Sequence, residues 1–400
     1  MEFKNNKDCL LNVHIKYIIP RSGETPLEQM YDCLQQLDQE RIQKKIDLKN
    51  VIKQTFFLEA NNLNDYNKKT ELFKQVINEF YKWVTPTTSF VAQAPANEKK
   101  LSLEVYFVGK SSKEIVIAHK SVDEISYTLI HYPHGKEIYA AGLTTKYLNN
   151  LYEQAKSSFI RMQKILDNEK LSFSDIVRQW NYIEKITDTK GHDTVRQNYQ
   201  IFNDVRSHFY GMSNFVNGYP SATGIGTQTG GVTIDFIAVS SPGHLSIHPV
   251  NNPEQTDAYK YSDNVLVGKG IDETTRKTTP KFERGKLIKA KNHGRIYVSG
   301  TAAVVGETTA HPDDVENQTL TTIENIKRLL SSENLLKHGI HYEVNKKSYS
   351  YLRTYIKNRV DFESVKGLCE EHFNSENFQY LISDICREDL LVEIEGYLDF

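Results

Sequence analysis

The feature that most restricts the fold of this chain is an order of elements that occurs twice. From about residue 100, "LSLEVYFVG", "KEIVIAHK", "ISYTLIHY" and "KEIYAAGL" have the composition of successive strands. A helical run follows, "KYLNNLYEQAKSSFIRMQKILDNE", with apolar residues at three- and four-residue spacing. Next come the strand "FSDIVRQWNYI", the helix "DTVRQNYQIFNDVRSHFYG" and the strand "VTIDFIAV". The second pass runs "GRIYVSGTAAVVG", "HPDDVENQTLTTIENIKRLLSS", "YSYLRTYIKN", "DFESVKGLCEEHFN", "NFQYLIS" and "LLVEIEGYL". Its first helix should start near Pro312, with Asp313 and Asp314 in the first turn, where carboxylates suit the helix dipole. Two passes of strand–helix–strand–helix–strand predict an α+β fold built from duplicated units, with a site in the cleft between them.

This order divides the chain into 101–240 and 295–400 as the two halves, joined by a Pro-, Asn- and Lys-rich stretch at 241–294. That stretch is too long for plain linkage and is expected to be an active-site loop. Residues 1–100 form an N-terminal extension of unclear role, with a strand in "LNVHIKYIIP", helices around 26–46 and 67–83, and a loop in "TPTTSFVAQAPANEKK". "GYPSATGIGTQTGG" suggests a phosphate cradle, but it lacks the Lys-Ser/Thr of a P-loop and precedes a strand, so it is expected to be a turn lining the cleft.

Composition excludes several classes of function. Of the 400 residues, 39% are hydrophobic and 25% charged, ordinary values for a globular protein, and no apolar run is long enough to span a bilayer. A net charge of −2 supplies no attraction for nucleic acid or an anionic membrane. The start lacks the basic-then-apolar layout of a secretory signal. Cys9, Cys33, Cys369 and Cys386 form no CxxC pair, which argues for a reducing cytoplasm and against a zinc site or disulfide framework. "HYPHG" places two histidines together without an acidic or thiol partner, and no serine stands in an elbow motif. Neither a metal nor a cofactor is expected.

The candidate chemistry lies near the end, in "ICREDLLVEIEG". As a strand it puts Glu393 and Glu395 on one side, either as solvated acids of an edge strand or as a buried pair. Superposing "VTIDFIA" on "VEIEGYL" sets Glu393 against Thr233 and Glu395 against Asp235. An acid present in both halves suits a structural role. Glu393, without an acidic counterpart, is the better candidate for catalysis.

The second half, with "YVSGTAAV", "QTLTTIENIKRLL", "LRTYIKN" and "LVEIEG", resembles the RidA/YjgF family of small α+β imine deaminases. The arginine which that family places shortly before the last strand is absent here, Phe378 to Tyr380 standing in its place. Over residues 100–400, the ordered motifs "QWNYI", "RQNYQIFNDVRSHFY", "GYPSATGIGT", "NNPEQTDAYKYS", "PKFERGK", "VSGTAAVVG" and "CREDLLVEIEG" resemble the chorismatases, which carry two RidA-like halves. The resemblance implies cleavage of chorismate to pyruvate and 3-hydroxybenzoate, with or without 4-hydroxybenzoate. Glu393 matches the family's catalytic acid, Cys386 the cysteine that marks hydroxybenzoate-forming members, and Gly300 the glycine that accompanies it. Alternatives are hydrolysis that stops at a dihydroxycyclohexadiene carboxylate, a RidA-like imine deaminase, or a ligand-binding homologue without turnover. Glu254 and Glu307 depart from the family pattern.

The resemblance also implies what the site must do. Protonating a vinyl carbon requires a carboxylic acid still neutral when substrate arrives, which burial provides. The substrate's two carboxylates call for guanidinium groups, and Arg284 and Arg206 are the candidates. Tyr259 and Tyr261 are candidate hydrogen-bond donors. Chorismate would be the small-molecule partner, bound by a monomer or homo-oligomer.

Overall fold

The computed structural model describes residues 12–82, 84–109, 114–145, 148, 150–189, 196–266, 277–290, 293–345, 348–373 and 378–400. Cys9 lies outside them. The first unit runs β1 (Val13–Ile18), α1 (Pro26–Lys44), β2 (Val51–Leu58), α2 (Leu63–Tyr81), β3 (Thr87–Val91) and β4 (Leu101–Val108). The second runs β5 (Val116–Val122), β6 (Ile125–Tyr132), β7 (Gly135–Leu143), α3 (Leu151–Asn168), β8 (Ile176–Glu184), α4 (Asn198–Tyr210), β9 (Ser221–Thr227) and β10 (Val232–Ser240). The third holds β11 (Ser246–Val250), β12 (Gly285–Lys289), β13 (Gly294–Ala302), a small hairpin of β14 (Val304–Val305) and β15 (Thr308–Thr309), α5 (Val315–Leu329), α6 (Ser332–Leu336), β16 (Tyr349–Ile356), α7 (Phe362–His372), β17 (Phe378–Ile382) and β18 (Val392–Asp399).

The sheet orders are β1-β4-β2-β3, β5-β6-β7-β10-β8-β9 and β11-β12-β13-β18-β16-β17. The first is the other two without their leading hairpin. In each, one parallel pair, β2 with β3, β8 with β9 or β16 with β17, sits beside antiparallel neighbours. The repeat is therefore threefold, and the N-terminal segment expected as an extension is a shortened copy of the same unit.

Several expectations change with that topology. The strand at Leu101–Val108, expected to open the first half, pairs with β1 and β2 and closes the N-terminal sheet. "TPTTSFVAQAP" contains β3. Part of 241–294 belongs to the third sheet, because β11 and β12 pair in register from Ser246 opposite Lys289 to Val250 opposite Gly285. "SATGIGT" is strand β9 and not a turn; a Cβ on its Gly224 would come within 2.8 Å of the Tyr199 ring, so the glycine serves close packing. Helix α5 begins at Val315, with Asp314 as its N-cap accepting from the Asn317 amide at 3.0 Å.

Each unit packs its helices on its own sheet around an apolar core, the first through Phe56, Phe73 and Val76, the second through Phe159, Phe202 and Phe209, the third through Ile323, Ile326 and Leu352. A further core lies where the three sheets face one another. Tyr106, Tyr139, Trp180, Tyr182, Tyr297 and Tyr355 fill it. Across it run three buried ion pairs in cyclic order: Lys53 of the first unit to Asp235 of the second at 3.0 Å, Arg178 of the second to Glu395 of the third, and Arg353 of the third to Glu104 of the first. Glu104, Asp235 and Glu395 each stand fourth in the last strand of their unit. Losing one partner of such a pair would strand a charge away from water, so the ring resists separation of the units.

Candidate active site

Strand β18 is not an edge. It lies between β13 and β16, with Glu393 opposite Ala302 on one side and Tyr355 on the other. Its two carboxylates, 4% and 1% exposed for Glu393 and Glu395, meet different surroundings. Glu395 is saturated: it accepts from Arg178, from Trp180 Nε1 at 2.9 Å, from Thr223 and from Tyr355, and pairs with Arg353 at 2.9 Å. Glu393 has no hydrogen bond or ion pair among the described residues, and its carboxyl group opens into a cavity between the second and third units. Burial pushes its pKa up from 4.5 to about 8; the charge of Glu395 adds to the rise, while Arg178 and Arg284 oppose it. The acid is thus neutral near pH 7.

Gly300 fits against this carboxyl group. A Cβ there would fall on Glu393 Oε1 and approach Thr223 Cγ2 to 3.1 Å. The Gly300 amide donates to Thr223 Oγ1 at 3.0 Å, and Thr223 in turn donates to Glu395, tying the turn to the ion-pair ring. Cys386 lines the same cavity, and burial, then the nearby Glu393 charge, push its thiol up to about 12. A thiol so placed stays protonated near pH 7.

Arg284 reaches the cavity from just before β12. Its Nη2 donates to Thr256 O at 2.7 Å and to the Tyr261 hydroxyl at 2.5 Å, Nε has no partner, and no carboxylate pairs with it among the described residues. Arg206, 1% exposed, donates to Asn203 Oδ1 from α4 and leaves Nε unpartnered. It stands behind the cavity lining, which is formed on that side by Tyr199, Gln200 and Asn203. Tyr259 is not in this cavity. Its hydroxyl donates to Asp257 at 3.2 Å, and it lines an adjoining depression with Tyr219, Lys281 and Glu283. Tyr261, by contrast, is a wall of the cavity. Glu254 and Glu307 lie outside the lining: Glu254 faces Arg328 at 3.6 Å, and Glu307 accepts from Ser262 N and Oγ at 2.8 and 2.5 Å.

Residues that sequence reasoning missed include Tyr199, Asn203, Phe282 and Arg387. The signal for the first two was available: Tyr199, Asn203 and Arg206 recur at i, i+4 and i+7 on α4, polar positions on a helix face that is otherwise apolar. The remaining wall, Val265, Leu266, Pro280, Phe282 and Leu390, is apolar. Free space in the cavity is about 60 Å³, less than a substituted six-membered ring fills, so ligand entry requires this wall to yield. The site offers a neutral buried acid beside a guanidinium that has no carboxylate partner among the described residues, in a small chamber.

A family model described as "Chorismatase FkbO/Hyg5-like, N-terminal" matches residues 114–238, which is the second unit. A 3-hydroxybenzoate synthase of Streptomyces hygroscopicus is 30% identical over 278 residues, 67% of this chain and 75% of that protein. The chain belongs to the chorismatase family. A chorismatase of Streptomyces rapamycinicus is 31% identical over 230 residues, covering 56% of this chain and 64% of the relative. A chorismatase crystal structure aligns over 96% of this chain and 98% of its own length with a TM-score of 0.66 at 20% identity, a likeness of fold that includes the N-terminal unit. No helix among the described residues is long and apolar enough to cross a membrane.

Proposed function

We propose that this chorismatase converts chorismate to pyruvate and 3-hydroxybenzoate, with Glu393 as the proton donor. The observation that carries the reading is a carboxylic acid held neutral by burial, with neither a hydrogen bond nor an ion pair among the described residues, opening into a cavity beside an arginine that no carboxylate among those residues pairs with. Glu393 donates its proton to the terminal methylene of the enolpyruvyl ether, and positive charge develops on the ether carbon. The ring C–O bond breaks, its electrons form the pyruvate carbonyl, and the neighbouring ring hydroxyl attacks the carbon left behind. That hydroxyl's proton returns to the Glu393 carboxylate. The resulting epoxide opens and the ring aromatises, so the two products together contain every atom of chorismate and no water is consumed. A well-placed acid contributes about 10²–10⁴-fold to such a step.

Two features favour internal attack over hydrolysis. The apolar wall leaves little room for water, and Cys386 adds a thiol where a smaller side chain would admit one. Arg284 holds one substrate carboxylate. Arg206, buried without an anionic partner among the described residues, supplies positive charge for the second through Tyr199 and Asn203. Gly300 provides the space in which the Glu393 carboxyl group and the ether meet. Tyr259 stays outside the reacting chamber and contributes to its outer rim.

The test is to incubate purified protein with chorismate, follow pyruvate with a coupled dehydrogenase and separate the ring product by chromatography. Stoichiometric 3-hydroxybenzoate is expected, and Glu393→Gln should abolish pyruvate release while the protein remains folded. A non-aromatic diene as sole ring product would replace this reading with hydrolysis. Absence of pyruvate would end it.

A further inference from the structure

The threefold repeat gives the catalytic cleft a counterpart between the first and second units. The two clefts are built alike. Gly142 and Gly300 follow the same register shift in β7 and β13, the first between Ile234 and Phe236 of its partner strand, the second between Val298 and Thr301. The Gly142 amide donates to Asp235 Oδ1 at 2.9 Å, and Ser89 Oγ donates to the same oxygen at 2.6 Å, where in the other cleft the Gly300 amide donates to Thr223 Oγ1 and Thr223 passes the link on to Glu395. Gly142 has a φ of +71°, and a Cβ there would strike Thr88 O, so the position demands glycine. In the place of Glu393 stands Thr233, 5% exposed, and its side chain borders a cavity of about 370 Å³. That volume lies in the range of small-molecule pockets.

The lining has a definite chemistry. Ile77, Phe90 and Leu143 give it an apolar side. Arg161 from α3 of the second unit reaches it half-buried, with no hydrogen bond or ion pair among the described residues, and Lys74 from α2 of the first unit adds a second positive group. Glu124, next to the Asp123 that pairs with Lys164 of the same helix α3, also lines the cavity and disfavours a second anionic group on a bound molecule. The catalytic cleft instead offers a dianion Arg284, with Arg206 behind its wall.

We propose that this cleft is a second, non-catalytic binding site for a monocarboxylate carrying a ring, the chemical class of the reaction's aromatic product. Only the choice of that class rests on the proposed function. The ring lies against Ile77, Phe90 and Leu143, the carboxylate meets Arg161, and a ring hydroxyl reaches Thr233. Without an acid at position 233 the site binds and does not turn over. The dicarboxylate substrate is disfavoured by Glu124.

Calorimetric titration of the full chain with 3-hydroxybenzoate tests this directly. Wild-type protein should take up two equivalents. Arg161→Glu should take up one, the affinity of the other site falling about tenfold or more with loss of a charge-assisted contact, and its turnover of dilute chorismate should equal that of wild type. Arg284→Ala should lose the complementary equivalent. Lys74→Glu, at an exposed position, gives a second reading of the same site should Arg161→Glu prove unfolded by circular dichroism. Uptake of a single equivalent that Arg161→Glu leaves intact, or uptake unchanged in both the Arg161 and Lys74 variants, overturns the proposal. Failure of the protein to cleave chorismate removes the proposed function alone, since uptake that depends on Arg161 still supports this site.

Discussion

A buried neutral acid that serves catalysis should weaken the fold as pH rises, and Glu393→Gln isolates that cost. The carboxyl group moves from 4.5 to about 8 on burial. Between those values the folded chain keeps a proton that the unfolded chain has lost, so stability falls with increasing pH. The contribution is intact below the unfolded value and is lost progressively until pH passes the folded one. At about 1.4 kcal/mol for each pH unit spent between the two values, the loss from pH 5 to pH 9 is about 4 kcal/mol, an upper figure because water entering the cavity would reduce it. Glutamine has nearly the shape of the protonated acid and does not titrate. Denaturant unfolding of both proteins at pH 5 and pH 9 should therefore show near-equal stability at the lower pH and a more stable variant at the higher. The same titration governs turnover: kcat/KM should be level below pH 7 and fall about tenfold per pH unit well above pH 8, since only the protonated form donates. A stability difference that does not change with pH would refute the assignment of a buried, neutral Glu393.

Three other substitutions test separate parts of the argument. Gly300→Ala should lower pyruvate release by about 10²-fold, the scale of an ångström-sized displacement at a reacting group, because its methyl would occupy the Glu393 carboxyl position; steady-state rates at saturating chorismate measure it, and wild-type turnover would show that the carboxyl group does not need this space. Lys53→Met leaves Asp235 buried without its cation and should cost about 3–5 kcal/mol in denaturant unfolding, most of it recovered by adding Asp235→Asn; a loss below about 1 kcal/mol would mean the pair does not join the units. Cys386→Ala should keep pyruvate release and divert part of the ring product to the dihydroxy-diene, seen by chromatography, whereas unchanged products would separate the thiol from product choice.

Legibility differed between the copies for physical reasons. The second and third units were readable because their strands carry long apolar runs and their helices a clear three-four spacing. In the first, β1, α1 and α2 were read but its kinship to the others was not, because β2, "VIKQTFFL", interrupts its apolar run with Lys53, Gln54 and Thr55, which look solvated in sequence yet are at most 1% exposed. Lys53 is polar because it reaches across to Asp235 of the second unit, with Thr55 accepting from its Nζ at 2.9 Å, whereas Gln54 is satisfied inside its own unit, donating to Thr88 Oγ1 at 3.0 Å and accepting from Tyr81. β11 was hidden by Pro249, tolerable on an edge strand that pairs with β12 alone. Partners brought together from distant segments leave no local signal, which is why nothing in the sequence marks Arg178 as the partner of Glu395, 217 residues away. Within the site, Glu393 was legible through its contrast with Thr233, while Tyr259 was misplaced because a loop's direction cannot be inferred from its composition.

The ion-pair ring and the acid strand explain each other. Three copies of one unit placed face to face bring the fourth residue of each last strand to the common core, and an acid there is stable only if a neighbouring unit supplies a cation. That requirement acts on Glu104, Asp235 and Glu395 alike and leaves the position two residues earlier free to vary. There the units hold Ser102, Thr233 and Glu393. The acid in the third unit faces a cleft in place of the ring, pairs with no cation among the described residues, and is pushed toward its protonated form by burial first and by the Glu395 charge beside it second. The structural acid thus adds to the effect of burial on Glu393. Of the three equivalent positions, that of the third unit alone carries an acid, which is why the proposed proton donor is placed there.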